Sequence, residues 1–168
     1  MPATRDELLA RLAELGIASV THDHEAVFTV AESRALKAGM PGGHTKNLFL
    51  KDRKGRLFLF TADAEATIDL KWLAAALGAS GRFSFGSPEL LVSVWGVEPG
   101  SVTPFGAIND AEGRVTVGLD ASLLRHELVN VHPLTNTATT ALAPDDLLRF
   151  LHATGHEPVI VELAPTEA

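Results

Sequence analysis

Lys46 and the run His132-Pro133-Leu134-Thr135-Asn136-Thr137-Ala138-Thr139-Thr140 are the residues of this chain best suited to chemistry. Lys46 opens a hydrophobic strand-like stretch just after the turn Gly39-Met40-Pro41-Gly42-Gly43, where a long cation can meet an anion or a developing negative charge. The run from His132 to Thr140 supplies more side-chain donors and acceptors than a surface connector requires. Between them lies Gly100-Ser101-Val102-Thr103-Pro104, stiffened by Pro99 and Pro104 and able to present backbone N–H and C=O groups rigidly. Three separated segments of this kind suggest the walls of one pocket. The ordinary alternative for each is an exposed lysine at a strand end, turn capping, and a tight connector.

Several other chemistries fit poorly. The Gly39–Lys46 stretch superficially suggests a phosphate-binding loop, but Lys46 follows Thr45 and precedes Asn47, which breaks the P-loop pattern. His22-Asp23-His24-Glu25 puts two histidines on one side of an extended chain, yet a zinc site needs three or four ligands. The other histidines show no ligand spacing, so no metal and no other cofactor is expected. There is no Gly-x-Ser-x-Gly elbow, and no cysteine to act as nucleophile, ligand or disulfide partner.

The surrounding pattern predicts the elements that hold these residues. Thr4 and Glu7 form a capping box for a helix carrying Leu8, Leu9, Leu12 and Leu15. Residues 17–22 read as a strand, and 29–37 as a short helix. Strands over 46–50 and 56–60 flank the turn Asp52-Arg53-Lys54-Gly55, and their near-continuous hydrophobicity predicts central positions. A helix is expected over 68–77. Ser87 and Pro88 start another helical turn, with 91–95 either its continuation or a strand. Strands follow at 115–119, 128–131 and 159–163, with a helix from Pro144 to about Leu151 between the last two. Helices and strands interleave without strict alternation. This predicts an α/β chain of the α+β type: one domain over residues 1–168, with a mixed central sheet flanked by helices.

Composition agrees with such a core. The chain has 168 residues, 46% of them hydrophobic and 21% charged, and no apolar run reaches membrane-spanning length. The N-terminus lacks the apolar segment of a secretory signal, so no membrane partner and a cytoplasmic location are expected. Net charge is −7, but it is unevenly spread. Residues 34–56 hold seven basic residues against Asp52 alone, while residues 89–168 hold 11 acids and three arginines. A polyanion would be drawn to one face and repelled elsewhere. A solvated, lysine-rich hairpin is the plainer reading of the same charges.

Taken together, the motifs resemble the prolyl-tRNA synthetase editing-domain superfamily over nearly the whole chain. His24-Glu25-Ala26-Val27-Phe28-Thr29-Val30 is similar to its His-x-x-Val-(Tyr/Phe)-Thr-Val segment, His44–Leu50 to its lysine strand, and Gly100–Pro104 to its Gly-x-x-x-Pro loop. The His132–Thr140 run resembles the signature of the free-standing alanyl-tRNA(Pro) deacylases, the ProX-type branch. The resemblance implies hydrolysis of the ester joining alanine to the terminal adenosine of tRNA(Pro), without a metal. It implies the acceptor end of tRNA(Pro) as partner, prolyl-tRNA synthetase as a second partner, and no DNA. Lys46, Gly100 and Pro104 would serve the reaction; Asn47, His132, Asn136 and Thr29 would bind substrate, and the basic stretch 34–56 would guide the acceptor stem. The alternatives are the cysteinyl-tRNA(Pro) deacylase branch and a non-catalytic tRNA-binding or regulatory protein on the same fold.

Overall fold

A computed structural model describes residues 2–26 and 38–163. The predicted helix over 29–37 and Thr29 lie outside the described residues.

Helix α1 (Arg5–Glu14) begins with the expected reciprocal cap between Thr4 and Glu7 and buries Leu8 and Leu12. Eight strands form one sheet: β1 (Ser19–Asp23), β2 (Gly43–Lys51), β3 (Leu57–Asp63), β4 (Ser84–Phe85), β5 (Val115–Asp120), β6 (Val129–Val131), β7 (Ala138–Leu142) and β8 (Val159–Val161). Helices α2 (Leu70–Ala76) and α3 (Pro144–Ala153) are the longer helices after α1 among the described residues. The spatial order is β1-β7-β6-β2-β3-β5-β8, with β4 attached to β2. Pairs β2/β6, β3/β5 and β5/β8 are parallel and the rest antiparallel, so the sheet is mixed as the sequence predicts.

Both faces of the sheet are covered, which explains the unbroken hydrophobic runs of its middle strands. On one face Phe49, Leu57, Leu59, Val115, Val117 and Leu119 join the larger core around Trp95, Phe105 and Phe150. On the other, Leu50, Phe58, Phe60 and Ala62 pack on Leu73 and Leu77 from the α2 side. The β2–β3 hairpin is clamped by the buried carboxylate of Asp52. Burial alone would raise its pKa, but the N–H groups of Ser80, Arg56 and Lys54 and the Arg56 guanidinium outweigh that effect and hold it at about 2.

One open alternative is settled and one expectation changes. The segment after Pro88 is helical throughout: Pro88–Leu90 runs on into one wide π-helical turn, Leu91–Trp95, that buries Leu91, Val94 and Trp95. The run His132–Thr140 is not a single loop. Its second half enters β7, where Thr140 pairs its hydroxyl with that of Thr21 at 2.8 Å and Thr139 pairs with a ring nitrogen of His24 at 2.8 Å. Those two threonines satisfy the sheet, and only residues 132–137 remain to form a wall.

Candidate functional site

The free edge of β2 organises the site. Strand β6 pairs with β2 only at Gly43 and His44, and β4 pairs with it only at Leu50 and Lys51. The Thr45 hydroxyl donates to the Asn130 carbonyl at 2.8 Å and closes one end of the gap; the Gly86 N–H donates to the Phe49 carbonyl at 3.0 Å and closes the other. Lys46, Asn47 and Leu48 thus lie where two parallel strands part, and the chain leaving β6 there continues directly into His132. A crevice at diverging parallel strands is a favoured place for ligands in such sheets.

Alternation along β2 sends Lys46 and Asn47 to opposite faces. Lys46 shares its face with Leu48 and Leu50. It is half-buried, and its ammonium donates to the Ala66 carbonyl. An ammonium has three donors, so that bond fixes the group in place and leaves two for a ligand. Lys46 lines a cleft of about 420 Å³ with Leu48, Ala66, Thr67, Ile68, Leu70 and Phe85. Asn47 shares its face with Phe49, and its Oδ1 accepts from the buried Thr61 hydroxyl at 2.5 Å. That bond orients the amide, whose NH2 donates to no group among the described residues. Asn47 lines a smaller hollow of about 210 Å³ with Pro99 and Val102. Leu48 and Phe85 line both hollows and join them across the strand edge.

The Gly100 loop is held by the core. Trp95 is fully buried, and its indole N–H donates to the Thr103 carbonyl at 2.7 Å. The Thr103 hydroxyl caps the short 3-10 turn Pro104–Asn109 that follows. Pro104 is buried at the start of that turn. It sets the course of the loop and does not face the clefts described here. Gly100 is exposed, and an added Cβ would lie 3.3 Å from the Asn136 amide nitrogen. The structure therefore joins Gly100 to Asn136: both line a third cleft of about 490 Å³ together with Ser101, Leu134 and Thr135. Leu134 reaches this position with φ at +69°, a left-handed conformation costing a branched residue roughly 1–2 kcal/mol. The strain sits where the chain must turn back after Pro133 to deliver Asn136.

His132 is placed differently. It is half-buried, and its Nδ1 lies 3.2 Å from the Ala138 carbonyl, so Nδ1 carries the proton and donates. Burial pushes its pKa below the ordinary value of 6.5, the Ala138 carbonyl partly opposes this, and nearby His24 adds to the lowering. The ring is neutral at neutral pH and keeps Nε2 as an acceptor. No direct contact joins it to Lys46. If Nε2 accepts from substrate, activity should be level at neutral pH and fall on the acid side, with its inflection below 6.5. The stability of the fold should also drop as pH falls from 6.5 towards the lowered value, because the unfolded chain takes up that proton first. A pH–rate profile with the acid inflection at or above 6.5, unchanged in His132→Gln, would contradict this role.

Of the basic stretch, Lys46 and Arg56 have structural partners, Arg56 through Asp52 at 3.0 Å and the Gly78 carbonyl at 2.7 Å. Lys51, at the end of β2, and Arg53 and Lys54, in the turn to β3, stay exposed, while Arg34 and Lys37 lie outside the described residues. Among the described residues no group of three His, Asp or Glu is arranged to hold a metal, and no helix is long and apolar enough to cross a membrane. The sequence reading assigned no element to residues 79–86 and missed Phe85. The alternation of Phe83 and Phe85 between Gly81 and Gly86 was the available strand signal.

Known proteins resemble this chain in sequence and in fold. The model of the aminoacyl-tRNA editing domain matches residues 24–150. Prolyl-tRNA synthetase associated domain-containing protein 1 of Danio rerio is 40% identical over 159 residues, covering 94% of this chain and 86% of that protein. The prolyl-tRNA editing protein ProX of Acetoanaerobium sticklandii is 35% identical over 160 residues, covering 95% of this chain and 97% of ProX. Among solved structures, a proposed trans-editing enzyme for prolyl tRNA synthetase superposes with a TM-score of 0.69 over 96% of this chain and 99% of that one, at 20% identity, a likeness of fold. The family match spans most of the chain and takes in both Lys46 and the Gly100 loop, so the chain belongs to the aminoacyl-tRNA editing domain family.

Proposed function

We propose that the protein is a deacylase, its chemistry spread over the single domain of residues 1–168, that hydrolyses Ala-tRNA(Pro) and spares Pro-tRNA(Pro). The observation that carries this reading is the crevice at the β2 edge. There a fixed ammonium and an oriented amide line two hollows joined through Leu48 and Phe85, with Pro99 and Val102 in the wall of the second, within a family that edits aminoacyl-tRNA. The names of the relatives support tRNA(Pro) as the carrier and prolyl-tRNA synthetase as a partner.

An aminoacyl ester is already activated, so positioning and charge stabilisation matter more than a protein nucleophile. The oxygen of water bonds to the ester carbonyl carbon, and the bond from that carbon to the ribose 3′ oxygen breaks. The 3′ oxygen takes up a proton, releasing free amino acid and tRNA. Lys46 holds the phosphate of the terminal adenosine or the charge that develops at the reacting end. Gly100 presents backbone to the ester where any side chain would crowd Asn136, and Pro104 keeps the loop on course. Asn47, Asn136 and His132 supply hydrogen bonds, Thr29 is assigned to the substrate by family likeness, and Lys51, Arg53 and Lys54 attract the acceptor stem.

A proline site in a synthetase rejects alanine weakly, because a few missing methylenes are worth only about 1–3 kcal/mol. A second site too small for proline supplies the remaining selectivity. Incubation with Ala-, Cys- and Pro-charged tRNA(Pro), following ester loss, tests the assignment. Alanine should be lost fastest and proline retained. Faster loss of cysteine would move the protein to the cysteinyl branch, and loss of none would leave a tRNA-binding protein without activity.

A further inference from the structure

We propose that Phe85 is the stacking surface for the terminal adenine of the tRNA, with Lys46 engaging the adjoining ribose and phosphate; this rests on the function proposed above. Phe85 is the most exposed large hydrophobic residue among those described, at 64%. It is nonetheless rigidly mounted. Its backbone pairs with Leu50 in the sheet, and the following N–H, of Gly86, bonds to the Phe49 carbonyl at 3.0 Å. Gly86 is pressed so closely onto the sheet that a Cβ there would fall 2.4 Å from the Phe49 ring. A fixed backbone that holds an aromatic ring in water is unexplained by packing, since the ring buries little of itself.

Its surroundings suit a nucleoside. Phe85 forms part of the wall of the Lys46 cleft, whose volume of about 420 Å³ lies in the usual range for small-ligand sites. Of the other walls, Leu48, Ala66, Ile68 and Leu70 are apolar and Thr67 adds one hydroxyl, and the one cation lining the cleft is Lys46. An apolar slot with an aromatic face and a single fixed ammonium matches a flat base followed by a phosphate. Phe85 also lines the neighbouring hollow with Asn47, Pro99 and Val102, so a base seated on it leaves its ribose beside the glycine loop. Stacking tolerates any base; adenine follows from the constant terminal adenosine of tRNA.

The test compares uncharged acceptor-stem minihelices ending in CCA with the same minihelices whose last ribose lacks its base, which keeps the phosphate for Lys46. Wild-type protein should bind the intact end about 5- to 150-fold more tightly, the range for one stacked base. Phe85→Ala should abolish most of that preference, with thermal stability little changed because the ring is exposed. Phe85→Trp should keep it. Undiminished preference in Phe85→Ala would overturn the proposal, and parallel hydrolysis of Ala-tRNA(Pro) by wild type would show that the deacylase reading stands. If wild type hydrolyses nothing, that reading fails, yet the minihelix comparison still decides whether Phe85 stacks the base. Equal binding of both minihelices, with Phe85-dependent binding of 5′-AMP alone, would assign the cleft to a free nucleotide and overturn the proposal.

Discussion

Lys46→Ala should lower single-turnover hydrolysis of Ala-tRNA(Pro) by about 10²–10³-fold, the usual cost of removing one fixed group that stabilises developing charge. The fold should lose about 1 kcal/mol, mainly the hydrogen bond to the Ala66 carbonyl. That contrast separates a functional lysine from a structural one. Lys46→Arg should restore little, because a planar guanidinium cannot occupy the place of a compact ammonium bonded to one carbonyl. The same variants distinguish a deacylase from a general RNA binder. In a binder, losing one cation should weaken affinity modestly and reduce the salt slope by about one unit. A wild-type hydrolysis rate in Lys46→Ala would show that the site is wrongly assigned.

Gly106→Ala should remove activity by a different route, through the support of the loop. A Cβ at Gly106 would fall 2.1 Å from the Trp95 indole nitrogen and 2.2 Å from the adjoining ring carbon, far inside van der Waals contact. Trp95 is fully buried and cannot retreat without disturbing its edge-to-face neighbour His156 or its own hydrogen bond to the Thr103 carbonyl. Overpacking of this kind costs roughly 1–3 kcal/mol and often more when a rigid ring is the neighbour. We expect a fall in melting temperature together with loss of turnover, since Thr103 lies inside the segment from Gly100 to Pro104. Trp95→Phe should act more mildly: it keeps an aromatic core residue but leaves the Thr103 carbonyl without its donor. Full activity and an unchanged melting temperature in Gly106→Ala would show that the loop does not depend on this contact.

Much of this was legible in the sequence because it is written in local rules. The Thr4–Glu7 cap, the hydrophobic hairpin strands and the Pro144 helix start are short-range patterns, and the structure reproduces them. The His132–Thr140 run was harder. Its composition reads as a loop, and only pairing with β1, and of Thr140 with Val131 of β6, shows that Thr139 and Thr140 belong to the sheet. The link between Gly100 and Asn136 could not be read from spacing, since it is made through space by the left-handed turn at Leu134. Nor could the partner of Lys46: the Ala66 carbonyl lies in a connector without any motif of its own. Lys46 and Asn47 read as neighbours in one strand, but alternation sends them to opposite faces, and the two hollows they line are joined only through Leu48 and Phe85 at the free β2 edge.

The central claim is that this crevice hydrolyses the ester of a mischarged tRNA(Pro). It is tested most directly by single-turnover kinetics with protein in excess over Ala-tRNA(Pro) or Pro-tRNA(Pro), each measured against spontaneous hydrolysis in the same buffer. Ester loss from Ala-tRNA(Pro) should far exceed the spontaneous rate while Pro-tRNA(Pro) decays at that rate. Ala-tRNA(Pro) decaying no faster than in buffer alone would contradict the account.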